Sequence, residues 1–118
     1  MGTGIAMNIR LYVFQRVTAA LMVPLILGHL AVILYASRNG ISAAEILGRT
    51  KGSLGWGLYY GLFVVLASVH GAIGLRTVLR EWGPRSIARN TRALDGAMWV
   101  IGLVLLLLGL RAVKAVVM

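Results

Sequence analysis

The 118-residue sequence contains no cysteine, only three acidic residues and only two prolines. The absence of cysteine excludes disulfide bonds, thiolate-ligated iron–sulfur clusters and a cysteine nucleophile within this chain. Twelve lysines and arginines give a formal net charge of +9, and most of them have no counter-charge in the chain. Charged residues make up 13% of the sequence, against roughly 25% in a soluble domain. The chain therefore has too few polar residues to cover a water-soluble surface.

Hydrophobic residues make up 59% of the chain, and the mean hydropathy is +0.87. Three uncharged runs of 20, 23 and 15 residues cover 17–36, 53–75 and 96–110. A bilayer core needs roughly 20 helical residues, so the third helix must continue past Arg111 and Lys114, whose long side chains can reach the headgroups. We predict an all-α integral membrane protein with one transmembrane domain over residues 1–118, part of a larger helical bundle. Its three spanning helices are predicted at about 12–37, 53–81 and 95–116.

Basic residues predict the orientation, because lysine and arginine concentrate in cytoplasmic loops. Seven of the twelve lie in the N-terminal segment or between the second and third spans: Arg10, Arg16, Arg76, Arg80, Arg85, Arg89 and Arg92. The other five are Arg38, Arg49, Lys51, Arg111 and Lys114. The bias predicts a cytoplasmic N-terminus and a C-terminus outside. A transit-type presequence is absent, which favours a multi-pass protein of the bacterial cytoplasmic (inner) membrane.

The two polar loops differ in character. Ser42 followed by Glu45 is a capping-box pattern, which predicts a short interfacial helix at about 42–48. The second loop breaks at Gly83-Pro84, after which Arg85, Arg89 and Arg92 recur at helical spacing and predict one basic helical face. This face would contact anionic membrane lipid or dock a cytoplasmic partner subunit. No nucleic-acid partner is expected, because the basic residues flank membrane spans.

Ionisable side chains at membrane depth are costly and so are candidates for function. His70, Gly74, Thr77 and Glu81 share one helical face. A neutral imidazole is a normal axial ligand of haem iron, and a glycine one turn away leaves room for a flat macrocycle. Arg76 lies nearer the cytoplasmic end, where it could meet haem propionates. The alternative is that His70 hydrogen-bonds a neighbouring helix and Gly74 serves helix packing.

His29 lies in the first span, and upright helices would place it about 10 Å further out than His70. The two histidines are therefore not expected to ligate the same haem. His29 would ligate a second haem with another chain's help, or it is structural.

Four residues near the cytoplasmic ends of the spans are candidates for binding a polar headgroup such as a quinone carbonyl. They are Tyr12, Arg16, Thr18 and Trp82. Arginine and the tyrosine and indole groups can donate hydrogen bonds there. Membrane anchoring by Arg16 and an aromatic belt that includes Trp82 are the alternatives.

Two runs of residues resemble a known family. Residues 15–19, QRVTA, are similar to the His-Arg-(Val/Ile)-(Ser/Thr)-Gly signature of the cytochrome b membrane-anchor subunits of succinate dehydrogenase and fumarate reductase, respiratory complex II. The run from His70 through Gly74 and Arg76 to Glu81 resembles that family's second-helix signature in spacing. Gln15, Ala19 and Thr77 depart from the family pattern.

The resemblance implies a role for each matching residue. His70 would be an axial ligand of haem b and Arg76 would lie near the propionates. Arg16 would border the quinone pocket together with Tyr12, and Trp82 would stand where a paired anchor carries a quinone-contacting tyrosine. The chain would be a non-catalytic subunit, with a flavoprotein, an iron–sulfur protein and a second membrane anchor as partners.

Two other functions stay open on the sequence. The chain could be a haem-free anchor of the same complex that binds only ubiquinone or menaquinone. It could also be a three-helix assembly subunit of a transporter with no redox role.

Overall fold

The structure, a computed structural model, describes the backbone of residues 2–118 and the side chains of residues 8–118. This part of the chain forms five helices and no strand: α1 (Gly2–Arg38), α2 (Ala43–Thr50), α3 (Leu54–Trp82), α4 (Arg85–Ala88) and α5 (Thr91–Val117). The predicted all-α class is confirmed.

Three helices are long and apolar enough to cross a bilayer: Asn8–Arg38 within α1, Leu54–Trp82 and Thr91–Val117. They contain 31, 29 and 27 residues, and 27 helical residues already rise about 40 Å, more than a hydrocarbon core of about 30 Å. The three predicted spans are confirmed. As expected, α5 continues through Arg111 and Lys114.

Two predicted helix starts were wrong. The first helix begins at Gly2 rather than near residue 12. The prediction followed the apolar run, which gives only the part of the helix within the membrane, and no proline ends the helix ahead of that run. It also continues through Pro24. The last helix begins at Thr91 rather than near 95, because the side chain of Asn90 accepts a hydrogen bond from the Ala93 N–H at 3.2 Å and caps it.

The loop between the first two spans contains the short helix α2, with Ser42 as its N-cap. The Ser42 Oγ accepts the Glu45 backbone N–H and also contacts the Glu45 carboxylate, both at 3.2 Å. At the other end of α2 the buried Thr50 hydroxyl donates to the Val116 carbonyl at 2.8 Å. The short helix is therefore fastened to the end of α5.

The single basic helical face predicted over 85–92 was wrong. Helix α4 ends at Ala88, and the extended backbone of Asn90 separates it from α5, so Arg92 belongs to a different helix from Arg85. All three arginines nevertheless border one shallow depression of about 560 Å³, together with Ser86, Asn90 and Thr91.

Helix α3 is the centre of the bundle and packs antiparallel against both α1 and α5. Its contact with α5 is close, since a Cβ on Gly102 would lie 3.2 Å from the Ala72 Cβ. The buried core is small and centres on Ala72, Ile73 and Met98. Large apolar side chains cover the outside, as suits a chain surrounded by lipid or by other membrane helices.

Candidate functional site

His70 lies on the side of α3 that faces α1. Its Nδ1 is 3.3 Å from the Oγ1 of Thr18, and the Thr18 side chain is buried while the imidazole is half-buried. The Thr18 hydroxyl also lies 2.7 Å from the Phe14 carbonyl oxygen and 3.1 Å from that of Gln15. The structure thus brings together two residues that the sequence placed in separate haem and quinone groups.

One helical turn along, Gly74 faces Gln15. A Cβ on Gly74 would lie 3.3 Å from the Gln15 Nε2, so a larger residue there would press on that amide. The Gln15 Oε1 is buried and has no hydrogen-bond partner among residues 8–118. A buried acceptor without a donor costs about 1–3 kcal/mol, so this position is suited to a ligand that supplies a donor or to a partner chain.

Arg76 faces α5 instead of α1. Its side chain is only 6% exposed, and its Nε donates to the Asp95 Oδ1 at 2.8 Å. In the sequence Asp95 stands only as the residue before the third apolar run, and this ion pair was not predicted. The one available signal was that a carboxylate in a chain with three acidic residues stands at the boundary of a span.

His29 has different surroundings from His70. Its Nδ1 is 3.2 Å from the Tyr60 hydroxyl, and its ring packs edge-on against Tyr60 and Phe63. Because Thr18 contacts His70 and lies eleven residues from His29 on α1, the two imidazoles are separated by about 16 Å along the helix. They do not share a depth, which agrees with the expectation that they do not ligate one haem.

The other quinone candidates lie on the surface. Tyr12 and Arg16 are exposed neighbours on α1, with the guanidinium carbon 5.7 Å from the centre of the Tyr12 ring. Trp82 is the last residue of α3 and is 84% exposed. Among the four candidates, the structure brings Arg16 and Tyr12 together and turns Thr18 inward to His70.

The His70 imidazole fits the role of an axial ligand of haem iron. It is half-buried, and its Nε2 has no hydrogen-bond partner in the described part of the chain. In the described part of the chain no three His, Cys, Asp or Glu side chains come together as a metal cluster. A haem ligated axially by one histidine requires no such cluster.

Two apolar grooves lie beside α3, between α1 and α5. One, of about 680 Å³, is at the α2 end of the bundle and has His29, Tyr60 and Arg49 in its wall. The other, of about 480 Å³, is at the α4 end, where Arg10 and Asp95 contribute to a lining that is otherwise mostly apolar. Further membrane helices or lipid chains are the kinds of group that such surfaces accept.

The fold and these side chains define a multi-pass membrane protein of three spanning helices with a histidine at the contact between the first two. The family model for the succinate dehydrogenase/fumarate reductase transmembrane subunit matches residues 5–110. The chain belongs to this family, as its two sequence motifs indicated. Searches of curated proteins and of solved structures found no match.

Proposed function

We propose that the chain is the cytochrome b membrane anchor of a succinate dehydrogenase or fumarate reductase. In this role it binds haem b, contributes to the quinone site and docks the flavoprotein and the iron–sulfur subunit. The observation that supports the haem most directly is the half-buried His70 at the α1–α3 contact, whose Nε2 has no hydrogen-bond partner among the described residues. Family membership supports the anchoring role and argues against a transporter subunit.

His70 is the proposed axial ligand of the iron. When bound, haem b would supply a one-electron store close to the quinone. Arg76 uses its Nε–H for Asp95 on the side of α3 that faces α5, so we propose it as a packing residue and not as a contact of the propionates. His29 lies at another depth and is proposed only as a ligand of a second haem.

The quinone headgroup is proposed to bind beside Arg16 and Tyr12, with Trp82 as a further donor. Arg16 is charged and exposed, so it can donate to a quinone carbonyl and favour the negative charge that develops there on reduction. Reduction adds two electrons and two protons and gives the quinol. Thr18 already uses its hydroxyl for Phe14 and His70, so we place it with the haem ligand.

The catalytic partners are proposed to dock at the α4 end of the bundle. Arg85, Arg89 and Arg92 surround one depression there and offer a positive surface to an acidic partner or to anionic lipid. The apolar grooves between α1 and α5 are proposed to receive helices of a second anchor chain. The bacterial cytoplasmic membrane, with this end inside, is the proposed location.

A reduced-minus-oxidised spectrum of the complex, purified through a tagged copy of this chain, tests the assignment. The wild-type complex is expected to contain a flavoprotein and an iron–sulfur protein and to show a b-type band. His70→Ala is expected to lose that band, whereas His29→Gln, the matched control, retains a band. A full b-type band in His70→Ala would remove His70 as the ligand. A complex with no haem in the wild type would leave the haem-free quinone anchor as the function.

A further inference from the structure

We propose that Thr18 is a positioning residue that holds His70 in the tautomer with hydrogen on Nδ1, and so presents the Nε2 lone pair to the haem iron. The inference depends on the proposed ligation of haem by His70. The tautomer of His70 depends on side chains of this chain alone and can be measured without haem.

The Thr18 hydroxyl has one proton, and the direction in which it points decides which tautomer of His70 can bond to Oγ1. Thr18 Oγ1 lies 2.7 Å from the Phe14 carbonyl oxygen and 3.1 Å from the Gln15 carbonyl oxygen. Carbonyl oxygens only accept, so these short contacts require the hydroxyl to donate to the preceding turn of α1. Oγ1 then faces His70 with a lone pair. Its 3.3 Å contact with Nδ1 is a hydrogen bond only when Nδ1 carries the proton.

A neutral imidazole protonated on Nδ1 has an unprotonated Nε2. In the described part of the chain Nε2 has no hydrogen-bond partner, and the ring is half-buried, so this nitrogen is available to a ligand. Thr18 is 4% exposed, which leaves little room for water to replace its hydroxyl. A hydrogen bond to the other ring nitrogen is the usual means by which proteins fix the tautomer and orientation of a metal-binding histidine.

His29 shows that the second histidine lacks this arrangement. Its Nδ1 contacts the Tyr60 hydroxyl at 3.2 Å, and no backbone carbonyl of the described residues takes the proton of that hydroxyl. A phenol can donate to the imidazole or accept from it, so Tyr60 allows both tautomers of His29. The fixed tautomer is therefore specific to His70.

Three variants test the role of Thr18. Thr18→Val keeps the shape of the side chain and removes the hydroxyl, and Thr18→Ser keeps the hydroxyl. Ser68→Ala is the matched control. The Ser68 hydroxyl is also buried and donates to a carbonyl of the preceding turn, that of Val64 at 2.7 Å, but it is not hydrogen-bonded to His70.

The first measurement is the ¹⁵N NMR spectrum of the histidine rings in the full chain without haem, in detergent micelles. The chain has two histidines, and His29→Gln assigns the two sets of signals. We expect the Nδ1–H tautomer of His70 in the wild type, Thr18→Ser and Ser68→Ala, and a mixture in Thr18→Val. An Nε2–H tautomer in the wild type would overturn the proposal even if no variant folds.

The second measurement is the affinity of the purified complex for haem, followed by loss of the b-type band to a haem acceptor. Thr18→Val is expected to bind haem about tenfold or more weakly, as is usual when a partner of a metal ligand is lost, and Thr18→Ser is expected to stay close to the wild type. Equal loss in Ser68→Ala would assign the effect to packing and reject the proposal. Haem that is absent in the wild type, or that persists in His70→Ala, would instead reject the proposed function and leave the tautomer result standing.

Discussion

At the scale of single residues, Arg76 and Asp95 form the one ion pair within the described part of the chain. Arg76 is almost fully buried, and among the described residues its side chain donates a hydrogen bond only to the Asp95 carboxylate on α5. A charge taken out of water without its partner is strongly unfavourable, so the pair holds α3 and α5 in one register as long as both residues are present.

Removal of Asp95 is expected to be costly because it leaves a buried guanidinium uncompensated. Asp95→Ala should lower the stability of the chain by about 2 kcal/mol or more, the cost of losing a charged hydrogen bond at a partly exposed carboxylate. Thermal unfolding in detergent measures the change. The double variant Arg76→Met with Asp95→Ala should recover part of the loss. If the losses of stability in Asp95→Ala and in Arg76→Met simply add in the double variant, the two residues do not interact.

Arg16 is expected to matter for quinone and not for succinate oxidation itself. Arg16→Ala should lower the quinone-reductase rate of the complex by about tenfold or more, because a charged donor to the carbonyl is lost. Turnover with a soluble electron acceptor that bypasses the membrane site should be unchanged. Arg10→Ala, another basic change on α1, is the control. A rate unchanged in Arg16→Ala would exclude this residue from the quinone site.

At the scale of elements, small residues set how closely α3 and α5 approach. A Cβ on Gly109 would meet the Val64 side chain, and one on Gly102 would lie 3.2 Å from the Ala72 Cβ. Gly61 differs, because no atom outside its own stretch of helix backbone lies within 4 Å of the corresponding position. Glycines that look alike in the sequence therefore have different roles in packing.

Alanine at these two glycines is expected to have opposite effects. Gly109→Ala should destabilise the bundle by about 1–3 kcal/mol, because the methyl group must displace Val64 or part α3 from α5. Gly61→Ala should be neutral or stabilising by up to about 1 kcal/mol, since alanine is the better helix former and the space is open. The comparison uses the same thermal unfolding assay. Equal effects at both positions would contradict the described packing.

The spans and the His70 face could be predicted because each depends on residues close together in the sequence. An apolar run gives a membrane helix, and spacing of four and seven places His70, Gly74 and Thr77 on one face. The partners of these residues could not be predicted in the same way. Thr18 for His70 and Asp95 for Arg76 depend on how helices distant in the sequence rotate against one another, which no local pattern determines. The role of Asn90 as the α5 cap was missed within an arginine-rich loop.

At the scale of the whole molecule, the α4 end and the α2 end must face opposite sides of the membrane. We expect the α4 end in the cytoplasm, from the distribution of basic residues. The native chain has no cysteine, so a single introduced thiol reports its own position against a clean background. Ala44→Cys, on α2, should react with a membrane-impermeant maleimide in intact cells. Ser86→Cys, on α4, should react only after the membrane is opened. The reverse pattern would invert the orientation.

The central place of α3 also sets an order of events during synthesis. Helix α1 is made before α3, and in the finished bundle it packs mainly on α3. It can therefore pack only once residues 54–82 have been inserted. The contact between Thr18 and His70 needs α1 and α3 alone and no part of α5. The proposed haem ligand and its hydroxyl partner thus belong to the first two spans, and α5 fixes the opposite side of α3 through Asp95.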